Sequence, residues 1–169
     1  MLPIIILAVG EMGYTEQYKL VEGDGITAVI ISEGKILLVK RINIPFISNP
    51  GIWTFVMGSK KKGEEHLSTA YREIDEEVSI GREHLEPIFE KKNALMFDAV
   101  KKKHMWKNTF FIFHTKNPSV RINYESQSYR WADFDELLVE KEYTNIFIDK
   151  EEMLDHIQRA LHGKEHDKK

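Results

Sequence analysis

The sequence predicts one α/β domain of sandwich type, with helices packed on a sheet of short strands. Three observations carry this. Apolar residues recur at helical three- and four-residue spacing over 65–78 and again over 150–162. Short runs rich in β-branched and aromatic residues recur between Gly25 and Trp131. No repeat, low-complexity tract or long linker divides the 169 residues, a length suited to one domain with a real core.

The elements follow in order. Residues 1–12 open on an apolar run of about nine residues, too short to span a bilayer and broken by Pro3. They lack the basic start of a secretory signal. Either they form an arm packed on the domain, or translation begins at Met12. Gly25–Ser32 and Lys35–Arg41 flank a Glu33–Gly34 turn and read as a hairpin. Asn43–Gly51 carries two prolines and reads as a loop. Ile52–Met57 is a short strand leading into a loop that holds Gly58 and Gly63. A helix over Glu65–Val78 buries Leu67, Ala70, Tyr71, Ile74 and Val78 on one face. Leu85–Lys91, Ala94–Val100 and Met105–His114 read as three strands, and Arg121–Asn123 as a short fourth. Ser126–Trp131 leads into a helix over Asp133–Glu140. A last amphipathic helix runs over Lys150–His162, with Met153, Ile157 and Leu161 on one stripe. The polar tail, 163–169, is expected to fray.

Composition excludes several functions. The chain has no cysteine, which rules out disulfides, thiol catalysis and thiolate metal sites and suits a reducing cytoplasm. A net charge of −3 gives no general attraction to nucleic acid or anionic membrane. The histidines show no zinc-ligand spacing, and there is neither a P-loop nor a dinucleotide glycine motif. The expected partner is a small molecule, not a membrane or a nucleic acid, and the expected assembly is a monomer or homodimer.

The chemistry concentrates in Gly58–Ile80, GSKKKGEEHLSTAYREIDEEVSI. Glu73, Glu76 and Glu77 share a helix face beside the apolar one, and Glu64 stands just before the helix. Like charges so spaced weaken a bare helix. A divalent cation reverses the sign of that cost, and carboxylate oxygens suit hard Mg2+ or Mn2+. The bland alternative is a solvated Glu-rich face, which leaves the glycines, the arginine and the spacing unexplained.

The stretch resembles the Nudix box, G-x5-E-x7-R-E-U-x-E-E-x-G-U, with U a bulky aliphatic residue. Gly58, Glu64, Arg72, Glu73, Ile74, Glu76, Glu77 and Ile80 match, and Ser79 stands where glycine is usual. From average composition, so many matches arise by chance in on the order of one in 10^5 chains of this length. Pro50–Trp53 with Gly58 is similar to the family's approach strand, although Val56 and Met57 stand where proline and glycine are common. Glu125–Leu138 resembles its late E-x5-W segment. The likeness spans about residues 24–140.

The resemblance implies an α/β/α sandwich around a mixed sheet. It implies a metal-dependent hydrolase of a nucleoside diphosphate linked to a group X. Glu73, Glu76 and Glu77 match the metal positions, with the carbonyl of Gly58 as a further ligand and Glu64 linked behind them. Arg72 matches a position that orients a glutamate. The catalytic base moves between box glutamates and later loops in this family, so Glu73, Glu76 and the late-loop Glu125 are the candidates. Arg41, near a strand end, is expected to pair with that later loop and to approach the substrate.

Other residues are read on their own chemistry. Lys60, in Lys60–Lys62, is a candidate for phosphate contact, with a solvated loop as the alternative. Trp53 is a candidate base-stacking residue, with core packing as the alternative. Lys101–Lys103 with Trp106 pairs charge with an aromatic at what reads as an exposed turn. Ser79 must absorb left-handed strain or end the helix differently. The expectation is a changed helix end, with turnover indifferent to the serine.

Substrate identity is open. Leu95 and Met96–Phe97 stand where two branches of the family carry a marker proline or tyrosine. The absent cysteine disfavours the isomerase relatives. Nucleoside triphosphates, nucleotide sugars and ADP-ribose all remain. The alternative to an enzyme is a catalytically silent, nucleotide-sensing binding module, which would have no need of the three glutamates.

Overall fold

The computed structural model of the protein describes residues 19–46, 50–97, 104–139 and 150–163. Strands β1 (Lys19–Ser32) and β2 (Lys35–Arg41) form the expected hairpin. Its turn residues Glu33 and Gly34 both take positive φ, 50° and 76°, which matches the twist of paired strands. Pairing between β1 and β2 covers Ile31–Ile36 and Ser32–Lys35, and beyond that the chain returns between them. Strand β3 (Trp53–Thr54) pairs with β2, and β4 (Val56–Ser59) pairs with β1.

The single strand expected over Ile52–Met57 is therefore two strands, divided at Phe55. That residue is 1% exposed and fills the core where the chain passes from one neighbour to the other. Gly58 and Ser59 belong to β4 rather than to the loop expected there.

Helix α1 (His66–Val78) follows, and a single 3-10 turn (Arg82–His84) leads to β5 (Leu85–Phe97). The two strands expected over Leu85–Val100 are one strand as far as the described residues run. All of β5 pairs antiparallel with β6 (His104–Thr115), with register shifts between Pro87 and Phe89 and between Lys91 and Ala94. Asn93, at φ 61°, sits in the second shift. A bulge of this kind breaks the alternation of side chains without ending the ladder, so the pattern reads as two strands. Strand β6 runs parallel to β1 from Lys19–His104 to Ile31–His114, which makes the sheet mixed. Strand β7 (Ser126–Ala132) covers the other edge of β2. Helices α2 (Phe134–Val139) and α3 (Lys150–His162) complete the described chain. Arg121–Asn123, expected as a strand, is irregular.

Side chains of the central strands alternate between two cores. Ile26, Ala28, Ile30, Leu37, Val39, Phe111 and Phe113 face α1, which contributes Ala70, Ile74 and Val78. Val29, Ile31, Ile36, Leu38, Phe110 and Ile112 face Leu137 of α2 and Met153 and Ile157 of α3. The architecture is an α/β/α sandwich around a mixed sheet. Each of these side chains larger than alanine contributes on the order of 2 kcal/mol by leaving water.

The α1 face differs from its expected composition. Leu67 lies at the solvent boundary, Tyr71 is half-buried with its ring 5.5 Å from that of Phe113, and Thr69 and Glu77 are buried. Thr69 is tolerated because its hydroxyl bonds the Glu65 carbonyl at 3.0 Å. Among the described residues, no helix is long and apolar enough to cross a membrane. The readings of residues 1–12, the Lys101–Lys103 turn and the tail from 164 lie outside the described residues.

Candidate active site

Strand β4 and helix α1 meet at Gly58. A Cβ there would lie 1.9 Å from Cδ of Glu73, so only glycine lets that carboxyl rest on the strand. Helical spacing then presents Glu73, Glu76 and Glu77 beside β4.

Arg72 gathers the acids at the outer end. Its Nε and Nη2 donate to the two oxygens of Glu64, each at 2.9 Å. Nη1 donates to Glu73 at 2.7 Å and to Glu76 at 3.2 Å, and Nη2 also reaches the Ser59 carbonyl at 3.1 Å. Charge-assisted bonds with the planar guanidinium fix position as well as energy. Glu64 takes a further bond from the Lys61 N–H at 3.0 Å. The Arg72 bonds, aided by that N–H, hold the Glu64 carboxyl at about 2. Arg72 itself is raised above its ordinary value, chiefly by Glu64.

The inner end is drier. Glu77 is 2% exposed, and its Oε2 has no hydrogen-bond partner. The Met57 N–H bonds the carboxyl from the strand. Burial pushes Glu77 up to about 8, against the pull of Arg41 and with the repulsion of Glu73 and Glu125. Glu73 is raised too, by burial first, with Arg72 opposing.

Arg41 closes β2 and is almost fully buried, with Nη1 3.5 Å from Glu125. The Ile42 N–H donates to the Glu125 carbonyl at 2.8 Å, tying the end of β2 to the later loop. Structure therefore brings Arg41, Glu125, Glu77 and Glu73 into one electrostatic neighbourhood. Arg41 faces carboxylates there, which makes it a counter-charge inside the site.

Lys60 and Trp53, the other candidate substrate contacts, have partners within the protein. The Lys60 ammonium bonds Asp24 at 2.9 Å, and its N–H bonds the Asp24 carbonyl at 2.9 Å. Asp24 also bonds His66 Nε2 at 2.5 Å, so the three residues close the start of the loop on β1. Trp53 packs against the core on the α2/α3 side of the sheet, away from α1. The Arg130 guanidinium lies 4.9 Å and the Lys40 ammonium 5.9 Å from its ring.

Sequence reasoning missed four participants. Asn123 and Arg121 donate backbone N–H groups to the Glu77 and Val78 carbonyls, Ser59 meets Arg72, and Met57 meets Glu77. All four act through the main chain, and a backbone contact leaves no mark on residue type. The helix end is not altered as expected. Ser79 takes the left-handed cap conformation that glycine would take, φ 56° and ψ 37°.

A family profile for the NUDIX domain matches residues 22–156. The chain belongs to the NUDIX family. Solved NUDIX-type structures share its fold. An Ap4A hydrolase binary complex from C. elegans is 22% identical, with a TM-score of 0.66 over 83% of this chain and 98% of that one. A MutT protein from Methanosarcina mazei Go1 is 22% identical, with a TM-score of 0.62 over 84% and 97%. The NUDIX domain of Shewanella oneidensis NrtR, complexed with ADP ribose, is 16% identical, with a TM-score of 0.60 over 83% and 89%. No curated protein matches the chain in sequence.

The NUDIX glutamates are not drawn into one cage. Among the described residues, no three acidic or histidine side chains stand close enough together to hold a metal ion. Arg72 holds Glu64, Glu73 and Glu76 around its own guanidinium instead. The donor set nevertheless fits a hard divalent cation, because it is all oxygen and one buried carboxylate oxygen meets no donor.

Proposed function

We propose that this NUDIX protein hydrolyses the diphosphate linkage of a nucleoside diphosphate joined to a further group X, using Mg2+ or Mn2+. Glu73, Glu76, Glu77 and the Gly58 carbonyl would hold the ion, with Glu64 behind them. The observation that carries this reading is Glu77, a buried acid whose Oε2 has no donor. An unmet buried acceptor is costly, and its retention asks for a cation.

When bound, the ion neutralises phosphate oxygens and lowers the pKa of a coordinated water. The chain's own residues do the rest. Arg72 holds Glu64 and Glu73 in place through charge-assisted bonds. Arg41 supplies a positive charge that offsets crowding among Glu73, Glu77 and Glu125. Glu125, partly exposed and beside the box acids, takes the proton from the attacking water. Every named residue comes from one chain, so a monomer or homodimer suffices, and the cysteine-free composition suits the cytoplasm.

The test is phosphate release, coupled to pyrophosphatase and phosphatase, from nucleoside triphosphates, ADP-ribose, nucleotide sugars and dinucleoside polyphosphates. Each runs with Mg2+, with Mn2+ and with chelator. Metal-dependent turnover of one class supports the reading and names X. Silence throughout, with tight nucleotide binding by calorimetry, replaces it with a nucleotide-sensing module.

A further inference from the structure

Ser79 occupies the position where the box pattern has glycine, and it does so in a left-handed conformation. That conformation crowds a Cβ against the following carbonyl. Glycine would be the easier residue. The compensation is a side-chain bond: Ser79 Oγ donates to the Arg121 carbonyl at 3.1 Å.

Arg121 is the first residue of a run tied to the end of α1. Its N–H donates to the Val78 carbonyl at 3.0 Å, and the Asn123 N–H donates to the Glu77 carbonyl at 3.1 Å. These are helix-end carbonyls that would otherwise lack partners. Asn123 Oδ1 then accepts the Glu125 N–H at 3.0 Å, and the Glu125 carbonyl accepts from Ile42. Bonds at Arg121, Asn123 and Glu125 thus tie the run from the Ser79 hydroxyl to the backbone of Glu125 along its length. The tip of this turn is open, with Tyr124 84% exposed, while Ile122 before it packs against the α1-side core. Beyond Ile122, the hydrogen bonds and the Arg41 ion pair set where Glu125 stands.

We propose that Ser79 is a positioning residue whose hydroxyl straps the 121–125 turn to α1 and so sets the reach of Glu125 toward Glu73 and Glu77. The proposal rests on the hydrolase reading above. Its signature is a pair of opposite effects. Glycine at this position relaxes the backbone but cuts the strap, so it stabilises the fold while loosening the catalytic turn. A merely structural serine would move stability and turnover together.

The experiment uses the full chain with Ser79→Gly and Ser79→Ala. It measures hydrogen exchange at the Arg121, Asn123 and Glu125 amides against the core amide of Phe111, together with kcat, KM and melting temperature. In Ser79→Gly the three amides exchange roughly fivefold faster relative to Phe111. Its kcat falls roughly five- to tenfold with KM little changed, and its melting temperature holds or rises. Ser79→Ala shows the same fall in kcat with a lower melting temperature, because it keeps the strain and loses the bond. Unchanged exchange in Ser79→Gly, or a kcat within about twofold of the parent, overturns the proposal. Silence of the parent protein on every diphosphate overturns the hydrolase reading instead, and with it the catalytic part of this one.

Discussion

Arg72 and Glu64 meet through two parallel hydrogen bonds, each 2.9 Å long, and the same guanidinium extends a third arm to Glu73 at 2.7 Å. One cation thereby orders the loop before α1 and the first acid on it. Lysine cannot reproduce this fork, because its charge sits on a single flexible nitrogen. Arg72→Lys should keep the net charge and the fold yet lower kcat by roughly 10- to 100-fold. Steady-state kinetics beside far-UV circular dichroism checks this. A kcat within threefold or so would mean that orientation by Arg72 is dispensable.

Glu77 carries the pH prediction. Its folded-state pKa is pushed up to about 8 from an ordinary 4.5. The neutral acid is the form that folding favours, so its contribution is fully present below the unfolded value and is lost as pH rises through about 8. Without metal, the protein should lose stability across that window and Glu77→Gln should not. At pH 8 in chelator, the variant should melt several degrees above the parent, on the order of 5 °C, and the two should converge near pH 5. Added Mg2+ should raise the melting temperature of the parent alone. Turnover of the variant should fall by roughly 100-fold or more. A variant that melts below the parent at pH 8 would contradict the account of Glu77.

Gly58→Ala tests close approach. Its new Cβ would fall 1.9 Å from Cδ of Glu73, so the carboxyl must move. Turnover should drop by about 100-fold with a modest loss of stability. Gly34→Ala is the control. It strains a positive-φ turn with nothing within 4 Å of the new methyl, so it should lower stability by about 1 kcal/mol and leave kcat alone. Thermal melts and kinetics of both variants separate the two kinds of glycine.

Arg41 and Glu125 should be coupled in a double-mutant cycle. Arg41→Met removes the positive charge from a buried neighbourhood of acids and should cost roughly 2–4 kcal/mol of stability at pH 7. After Glu125→Gln the same substitution should cost less, by about 1 kcal/mol, since one of the acids is already neutral. Urea denaturation of the four proteins reads the difference. Additive losses would show that the 3.5 Å pair contributes nothing of its own.

Local pattern was the part of the fold that could be read directly. The bounds of β2 and α3 match their expected spans residue for residue, and α1 begins one residue later than expected. Strand and helix periods are written in nearest neighbours, so they survive translation into one dimension. Bulges do not. The shift at Lys91–Ala94 looks like a strand end in sequence, and the break at Phe55 looks like nothing at all.

The candidate site divides the same way. Residue types and spacing determined the family, the acid face of α1 and the oxygen-rich donor set, because all of these lie within one loop and one helix. Tertiary structure alone decided which charges meet. It set Arg41 beside Glu125, gave Lys60 to Asp24, turned Trp53 to the far side of the sheet and strapped Ser79 to Arg121. Each of those outcomes depends on which strand lies next to which and on which face a side chain takes. Burial then acts on the assembled group, so the unmet oxygen of Glu77 exists only once α1 has packed on β4.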